Sequence, residues 1–398
     1  MSQIKIPIGP QHPALHEPES FNLILEGETI VDAEVKLGYN HRGIEKACES
    51  RNYIQDIYLI ERVCGICSHS HSTCFVQAVE EIAGVEVPLR ANYIRTIIGE
   101  LERIHSHLLW LGVAGHEVGF ETLFMYSWRD REIIMDILAL ISGNRVNYAI
   151  NTIGGVRRDI TSEEVAQILA NLQTLTERTE FYLKLVNDEP TFMGRLFGVG
   201  KLSKDMAISM GAVGPMARGS GVSRDIRQDD PYGVYSQIGF KIVTDDHADV
   251  LGRVIVRVNE LLESYRMLRV LAENLPEGPI AVKVPRKIPA GEAIARYEAP
   301  RGEDIHYVRS NGTEMPERVK VRAPTLANLA SIREMLRGGY LADFPIVVAA
   351  LDPCFSCTDR AIRLVDGKND HVIDWRQLRE YSIGWHKQRG VELSKIGC

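Results

Sequence analysis

Cysteine is scarce in this chain of 398 residues, with seven in all, too few for a disulfide scaffold. Long apolar runs are missing as well. The longest, such as Phe344 to Leu351, reach about eight residues, against the ~18 needed to span a bilayer. The opening MSQIKIPIGP lacks the apolar core of a signal peptide, which predicts a cytosolic chain that does not cross a membrane by itself. Neither sign of charge dominates. The net charge of -7 is spread over mixed signs and excludes a dominant nucleic-acid footprint. There is no internal repeat and no low-complexity tract. A hydrophobic share of 45% with 25% charged residues is ordinary globular composition, which rules out a disordered or fibrous chain. At about 150 residues per domain, the length allows roughly two to three domains.

What is present is patterned. Residues Phe21 to Val35 alternate around a Glu26-Gly27 turn, as a hairpin does. Ile94, Ile97, Ile98, Leu101, Ile104, Leu108 and Leu111 recur at three and four residues and predict an amphipathic helix. Thr161 followed by Glu164 is a capping box that opens another helix. Val250 to Tyr265 supply the apolar face of a helix expected from Asp246 to Leu268, and Thr325 starts one that reaches Arg337. Residues 198 to 243 read as irregular, and 277 to 323 as short strands broken by Pro and Gly. The expected fold class is mainly α with a β-rich periphery (α+β), built on a central bundle of long helices. Charged pairs in the helices, such as Glu102 with Arg103, read as solvated faces or structural ion pairs.

The cysteines carry the chemistry. Cys64-Gly-Ile-Cys67 and Cys354-Phe-Ser-Cys357 are two C-x-x-C pairs, and Cys48, Cys74 and Cys398 are scattered. Two such pairs offer four thiolates, a soft site suited to zinc, nickel or iron. Spacing alone leaves open a zinc site that staples the two ends of the chain. It also leaves open a redox metal centre. Zinc ribbons place their pairs roughly 15 to 20 residues apart, far closer than these. No βαβ pattern supports a thioredoxin-like pair.

The surroundings of the pairs add a resemblance. Glu61-Arg-Val-Cys-Gly-Ile-Cys67 with His71 resembles the first nickel-binding motif of [NiFe] hydrogenase large subunits. Asp352-Pro-Cys-Phe-Ser-Cys-Thr-Asp-Arg360 resembles their second, and Glu298-Ala-Pro-Arg-Gly302 a further signature. Gly9 to Pro13, Arg103 with Ser106-His107-Leu108, and Gly214 to Arg218 are themes shared with the 49 kDa quinone-site subunit of complex I. The similarity spans residues 5 to 360. In all, the chain resembles the large subunit of group 4, membrane-associated, energy-converting [NiFe] hydrogenases. Complex I relatives lack the four cysteines and carry a tyrosine where this chain has Gly65, so the resemblance favours hydrogen over quinone chemistry.

That resemblance implies roles. Cys64 and Cys354 would be terminal nickel ligands, and Cys67 and Cys357 would bridge nickel and iron, in a centre of the NiFe(CO)(CN)2 type. Glu17 matches the proton-gate glutamate. Arg301 would lie over the metals, oriented by Asp352, and His71 would hydrogen-bond a bridging sulfur. Glu45 aligns with a carboxylate that binds a magnesium-type ion, although Arg360 stands where relatives complete that site with histidine. A [4Fe-4S] cluster would belong to a small-subunit partner. Further partners would be ferredoxin-like subunits, membrane ion-pumping subunits, and ferredoxin as electron carrier. The expected location is the cytoplasmic face of the cell membrane. The organisation implied is one large-subunit domain over 1–360. It comprises a β region (1–40), a helical body (42–275), a β insertion (277–323), and a C-terminal helix with the second metal motif (324–360). The extension 361–398 is either a maturation segment removed after nickel insertion or a retained tail.

Overall fold

The computed structural model describes residues 2–358, 362–365, 370–373 and 375–390. Strands β1 (Gln3–Ile8), β2 (Ser20–Glu26) and β3 (Thr29–Lys36) form an antiparallel sheet in that order. The predicted hairpin is β2–β3, with Glu26 opposite Thr29. Helices α1 (Ile44–Cys48), α2 (Tyr53–Glu61), α3 (Ser68–Ala83), α4 (Leu89–Glu117) and α5 (Glu121–Ser142) follow. A small ladder of β4 (Asn151–Thr152) and β5 (Gly155–Val156) precedes α6 (Ser162–Asp188).

Next come the short helices α7 (Pro190–Leu196), α8 (Lys204–Ser209), α9 (Pro215–Arg218), α10 (Ile226–Asp229) and α11 (Tyr235–Ile238). The stretch expected to be irregular therefore holds four of them, α8 to α11. The long α12 (Val250–Glu273) leads to the antiparallel sheet β6 (Gly291–Ala299), β7 (Gly302–Ser310) and β8 (Pro316–Arg322). Helices α13 (Pro324–Leu336), α14 (Phe344–Ala350) and α15 (Phe355–Thr358) carry the chain to the second cysteine pair. Beyond it lie β9 (Ile362–Val365), β10 (Asp370–Ile373) and α16 (Trp375–Gln388). Arg360 and Cys398 fall outside the described residues.

Helix α4 is the axis. Its 29 residues span about 43 Å at 1.5 Å each. It packs on α5, α12, α14 and α3. All seven residues of its predicted apolar stripe are buried. Burial does not stop at the stripe, because Arg95, Glu100, Glu102, Arg103, His105 and His107 are also at most 4% exposed. Glu102 and Arg103 are thus neither solvated nor paired with each other. Arg103 lies 3.5 Å from Glu100 and within 4.0 Å of Glu260. Arg218 bonds Glu260 at 2.7 Å and Glu298 at 2.8 Å. Paired this way, Glu100, Arg103, Arg218, Glu260 and Glu298 avoid the penalty of an isolated buried ion.

Two caps set helix starts. Thr161 and Glu164 form the reciprocal capping box of α6. The helix expected from Asp246 begins at Val250, because Asp249 is its cap and accepts from Gly252 N at 3.0 Å. A second apolar core joins α2, α3 and the β6–β8 sheet to the four paired cysteines.

Candidate metal centre

The two cysteine pairs come from opposite ends of the chain and meet in the interior. Cys64 lies in the α2–α3 loop, and Cys67 is the residue that opens α3. The amides of Ile66 and Cys67 each donate to Cys64 Sγ at 3.3 Å. Cys354 precedes α15 and Cys357 lies within it. Sγ of Cys354 is 3.4 Å from that of Cys64 and 2.6 Å from that of Cys357. The sulfurs of Cys64, Cys67 and Cys357 also lie within 4.8 Å of one another. None of the four residues is more than 3% exposed. Hydrogen bonds from Cys357 and Cys64, then the nearby His71, hold the Cys67 thiol well below the usual range.

Arg301 sits in the β6–β7 turn and is 3% exposed. Its Nη2 is 2.7 Å from Asp352 Oδ1, its Nε donates to Asp352 O at 2.8 Å, and its Nη1 donates to Ser106 Oγ at 3.2 Å. Burial opposes its charge, yet Asp352 and then Cys67, Cys354 and Cys64 raise its pKa. The guanidinium is a fixed cation facing the thiols.

Glu17 arrives from the β1–β2 connection. Its Oε2 accepts from the amides of Phe355 and Ser356, the latter at 3.0 Å, and its Oε1 accepts from Ser356 Oγ at 2.9 Å. Burial, followed by the charge of Cys354, pushes its carboxyl up to about 7. His71, on α3 one helical turn beyond Cys67, interacts electrostatically with that thiol, and its Nε2 has no hydrogen-bond partner among the described residues. Its neighbour His69 is packed inside, bonding Arg95 O at 2.9 Å.

The structure thus brings Glu17, Cys64, Cys67, His71, Arg301, Asp352, Cys354 and Cys357 together. It does not bring Glu45 among them. That carboxylate accepts from Val321 N at 3.0 Å and lies 3.5 Å from Lys320 Nζ, tying α1 to β8. Among the described residues it joins no cluster of metal-ligand type.

Three neighbours are not legible as site residues in the sequence: Glu102, which reads there as a solvated or ion-paired charge, and Asp304 and His306. Glu102 accepts from the amides of His69 at 2.6 Å and Ser70 at 3.0 Å, holding the start of α3 just beyond Cys67. Burial pushes its pKa up to about 8 against those donors. Asp304 and His306 lie on β7 beside His71. Their signal was the i, i+2 spacing directly after Arg301-Gly302, which places both on one strand face.

The donor set fits a thiolate-bound soft metal centre. Four convergent sulfurs, buried and faced by a cation, suit a soft metal held by thiolates, with zinc, nickel and iron all compatible.

The family profile described as nickel-dependent hydrogenase matches residues 42–112, which hold the first cysteine pair. That of the 49 kDa subunit of respiratory-chain NADH dehydrogenase matches 117–288 and 281–360, which hold the second. The membrane-bound hydrogenase subunit alpha of Pyrococcus furiosus is 48% identical, over 99% of this chain and 97% of its own. The carbon monoxide-induced hydrogenase of Rhodospirillum rubrum is 41% identical, over 90% of this chain and 100% of its own. Formate hydrogenlyase subunit 5 of Escherichia coli is 39% identical, over 95% of this chain and 67% of its own. A chain in the solved structure of the membrane-bound sulfane sulfur reductase, an archaeal respiratory membrane complex, superposes with a TM-score of 0.86 at 33% identity. The match covers 90% of this chain and 98% of that one. Fold, motifs and similarity agree, and the chain belongs to the family that joins membrane-bound [NiFe] hydrogenase large subunits to the 49 kDa subunit of complex I.

Proposed function

We propose that this chain is the catalytic subunit of a membrane-associated [NiFe] hydrogenase that interconverts H2 with protons and electrons. The observation that supports this reading is the convergence of four buried cysteines beneath Arg301. Cys64, Cys67, Cys354 and Cys357 would hold nickel and iron. When bound, that group supplies the redox-active splitting and formation of H2.

The chain's own residues supply the rest. Heterolytic chemistry needs a base near the metal-bound thiols. Glu17 is anchored by the Phe355 and Ser356 amides beside Cys354, with a pKa near neutrality, so its carboxylate can take up and release a proton at Oε1 or Oε2. Arg301 offsets the negative charge of the thiolates, and Asp352 fixes its orientation. The buried walls of α3, α4 and the β6–β7 hairpin exclude bulk water from the sulfurs.

In this reading the electrons leave through a small subunit with a [4Fe-4S] cluster, and ferredoxin is the carrier. Partner subunits translocate ions, and the chain sits peripherally on the cytoplasmic face. Glu45 remains a candidate for a magnesium-type ion only if it releases Val321 and Lys320. The extension 361–398 is a maturation segment in this reading. The chain mass in the nickel-loaded complex tests that, and a full-length chain would refute it.

The function is tested by infrared spectroscopy and metal analysis of the purified complex. Bands from iron-bound CO and cyanide, with nickel near one per chain, are expected. Zinc alone in the cysteine site would instead make the chain a stapled scaffold. No metal would make it an electron-transfer module of complex I type.

A further inference from the structure

Strand β7 alternates, so Gly302, Asp304, His306 and Val308 share its buried face. That face packs on α3, which carries His71. The three polar side chains are shut off from solvent, with Asp304 and His306 at 0% exposure and His71 at 1%. Asp304 Oδ2 stands 2.9 Å from His71 Nδ1 and 3.1 Å from His306 Nε2. The same two nitrogens are 3.1 Å apart. A carboxylate removed from water is costly unless it is paired, and here the two imidazoles are its partners.

His71 follows Cys67 by one helical turn, at the start of α3, and its ring is close enough to interact electrostatically with that thiol, while its Nε2 has no hydrogen-bond partner among the described residues. One ring therefore stands between a carboxylate and a thiol that the [NiFe] reading assigns as a metal ligand.

The turn that begins β7 carries Arg301, which faces the thiols directly. Two residues beyond Gly302, the strand delivers Asp304, which reaches Cys67 through His71. We propose that Asp304, with His306 beside it, is a positioning residue that aims His71 at Cys67, so that the β6–β7 hairpin holds the thiol cluster from two sides. The role given to Cys67 rests on the hydrogenase reading, while the orientation of the His71 ring does not. The role is that of an outer partner which orients a group touching a metal ligand; removing such partners changes the metal's properties without removing the metal.

The test is Asp304→Asn in the intact complex, which keeps the side-chain shape and removes its charge. Two readouts are taken at unchanged nickel content: a density map of the variant, and its infrared spectrum. The His71 ring should turn away from Cys67. The CO and cyanide bands should shift, because the polar ring beside a metal-ligand sulfur has moved. An unmoved ring with superimposable bands would overturn the proposal. Wild-type protein without any such bands would overturn the nickel–iron reading instead, and the ring orientation would then decide this inference alone. If Asp304→Asn does not fold, His306→Gln should give a smaller change in the same readouts, and no change would count against the proposal. Density for an ion centred among the three wild-type side chains would also overturn it, since a metal would then hold the ring.

Discussion

At the scale of single residues, Glu17 shows how burial converts an ordinary carboxylate into a candidate proton carrier. Its three donors, the amides of Phe355 and Ser356 and the Ser356 hydroxyl, favour the charged form, yet burial outweighs them and pushes the carboxyl up to about 7. Glu17→Gln should keep nickel and iron, since none of the four thiols is touched. It should slow H2 turnover by roughly 10²- to 10⁴-fold, the range for loss of a proton-transfer group. Hydrogen–deuterium exchange on metal-replete protein measures this, and full exchange in the variant would exclude a gating role.

Asp56 gives a prediction away from the site. It is 0% exposed beside Cys48, and burial pushes its pKa from 3.8 up to about 8. The folded state therefore binds a proton that the unfolded chain has released. Stability from this group is complete below about 4 and falls as pH rises towards 8, by on the order of a few kcal/mol. Asp56→Asn cannot ionise, so its melting temperature should gain on wild type between pH 6 and pH 9. Parallel melting curves with no widening gap would show that Asp56 is ionised in the fold.

At the scale of elements, the site is a meeting of short connections held by long helices. The α8–α9 connection meets the β6–β7 turn at Gly214 and Gly302. A Cβ on Gly214 would lie 2.4 Å from Gly302 Cα and 2.5 Å from Arg301 O, and its φ of +64° already favours glycine. Gly214→Ala should therefore push the turn that carries Arg301. Since a 1 Å displacement at a reacting centre can cost about 10²-fold, H2 turnover should fall by at least about tenfold while the helical content by circular dichroism stays unchanged. Unaltered activity would mean that the turn yields without moving Arg301.

Much at this scale is legible in the sequence. The stripe of α4, the capping box of α6 and the β2–β3 hairpin are written in period and cap chemistry. Helix α3 is not, because nearly every residue from Ser68 to Val79 is buried, the polar ones included, so no stripe exists to be read. The short helices α8 to α11 are hidden for a different reason. Four to six residues with local caps, such as Ser203 accepting from Met206 N, leave no periodic pattern. At the metal centre the cysteines, Glu17, Arg301 and Asp352 stand in recognisable motifs. Glu102, Asp304 and His306 depend on which elements pack together, and that is decided by tertiary contacts some 30 to 240 positions apart in the chain.

For the whole molecule, the arrangement of cysteines sets what the chain can do alone. A four-cysteine cluster needs four convergent thiolates. Outside the paired cysteines, the described residues offer Cys48 on α1 and Cys74 on α3, both fully buried. Cys74 donates to Ala295 O at 3.2 Å, and burial followed by Asp56 raises the Cys48 thiol far above its usual range. Neither is placed to join a cluster, so an electron released at the paired cysteines has no relay inside the described chain. Nor is any described helix long and apolar enough to cross a membrane. The chain purified alone and loaded with nickel and iron should therefore retain hydrogen–deuterium exchange, which needs only the centre and a base. It should show no ferredoxin-linked H2 turnover until a subunit carrying a [4Fe-4S] cluster is added back. Ferredoxin-linked turnover by the isolated chain would require an electron path that its buried thiols do not provide, and would refute this division of labour.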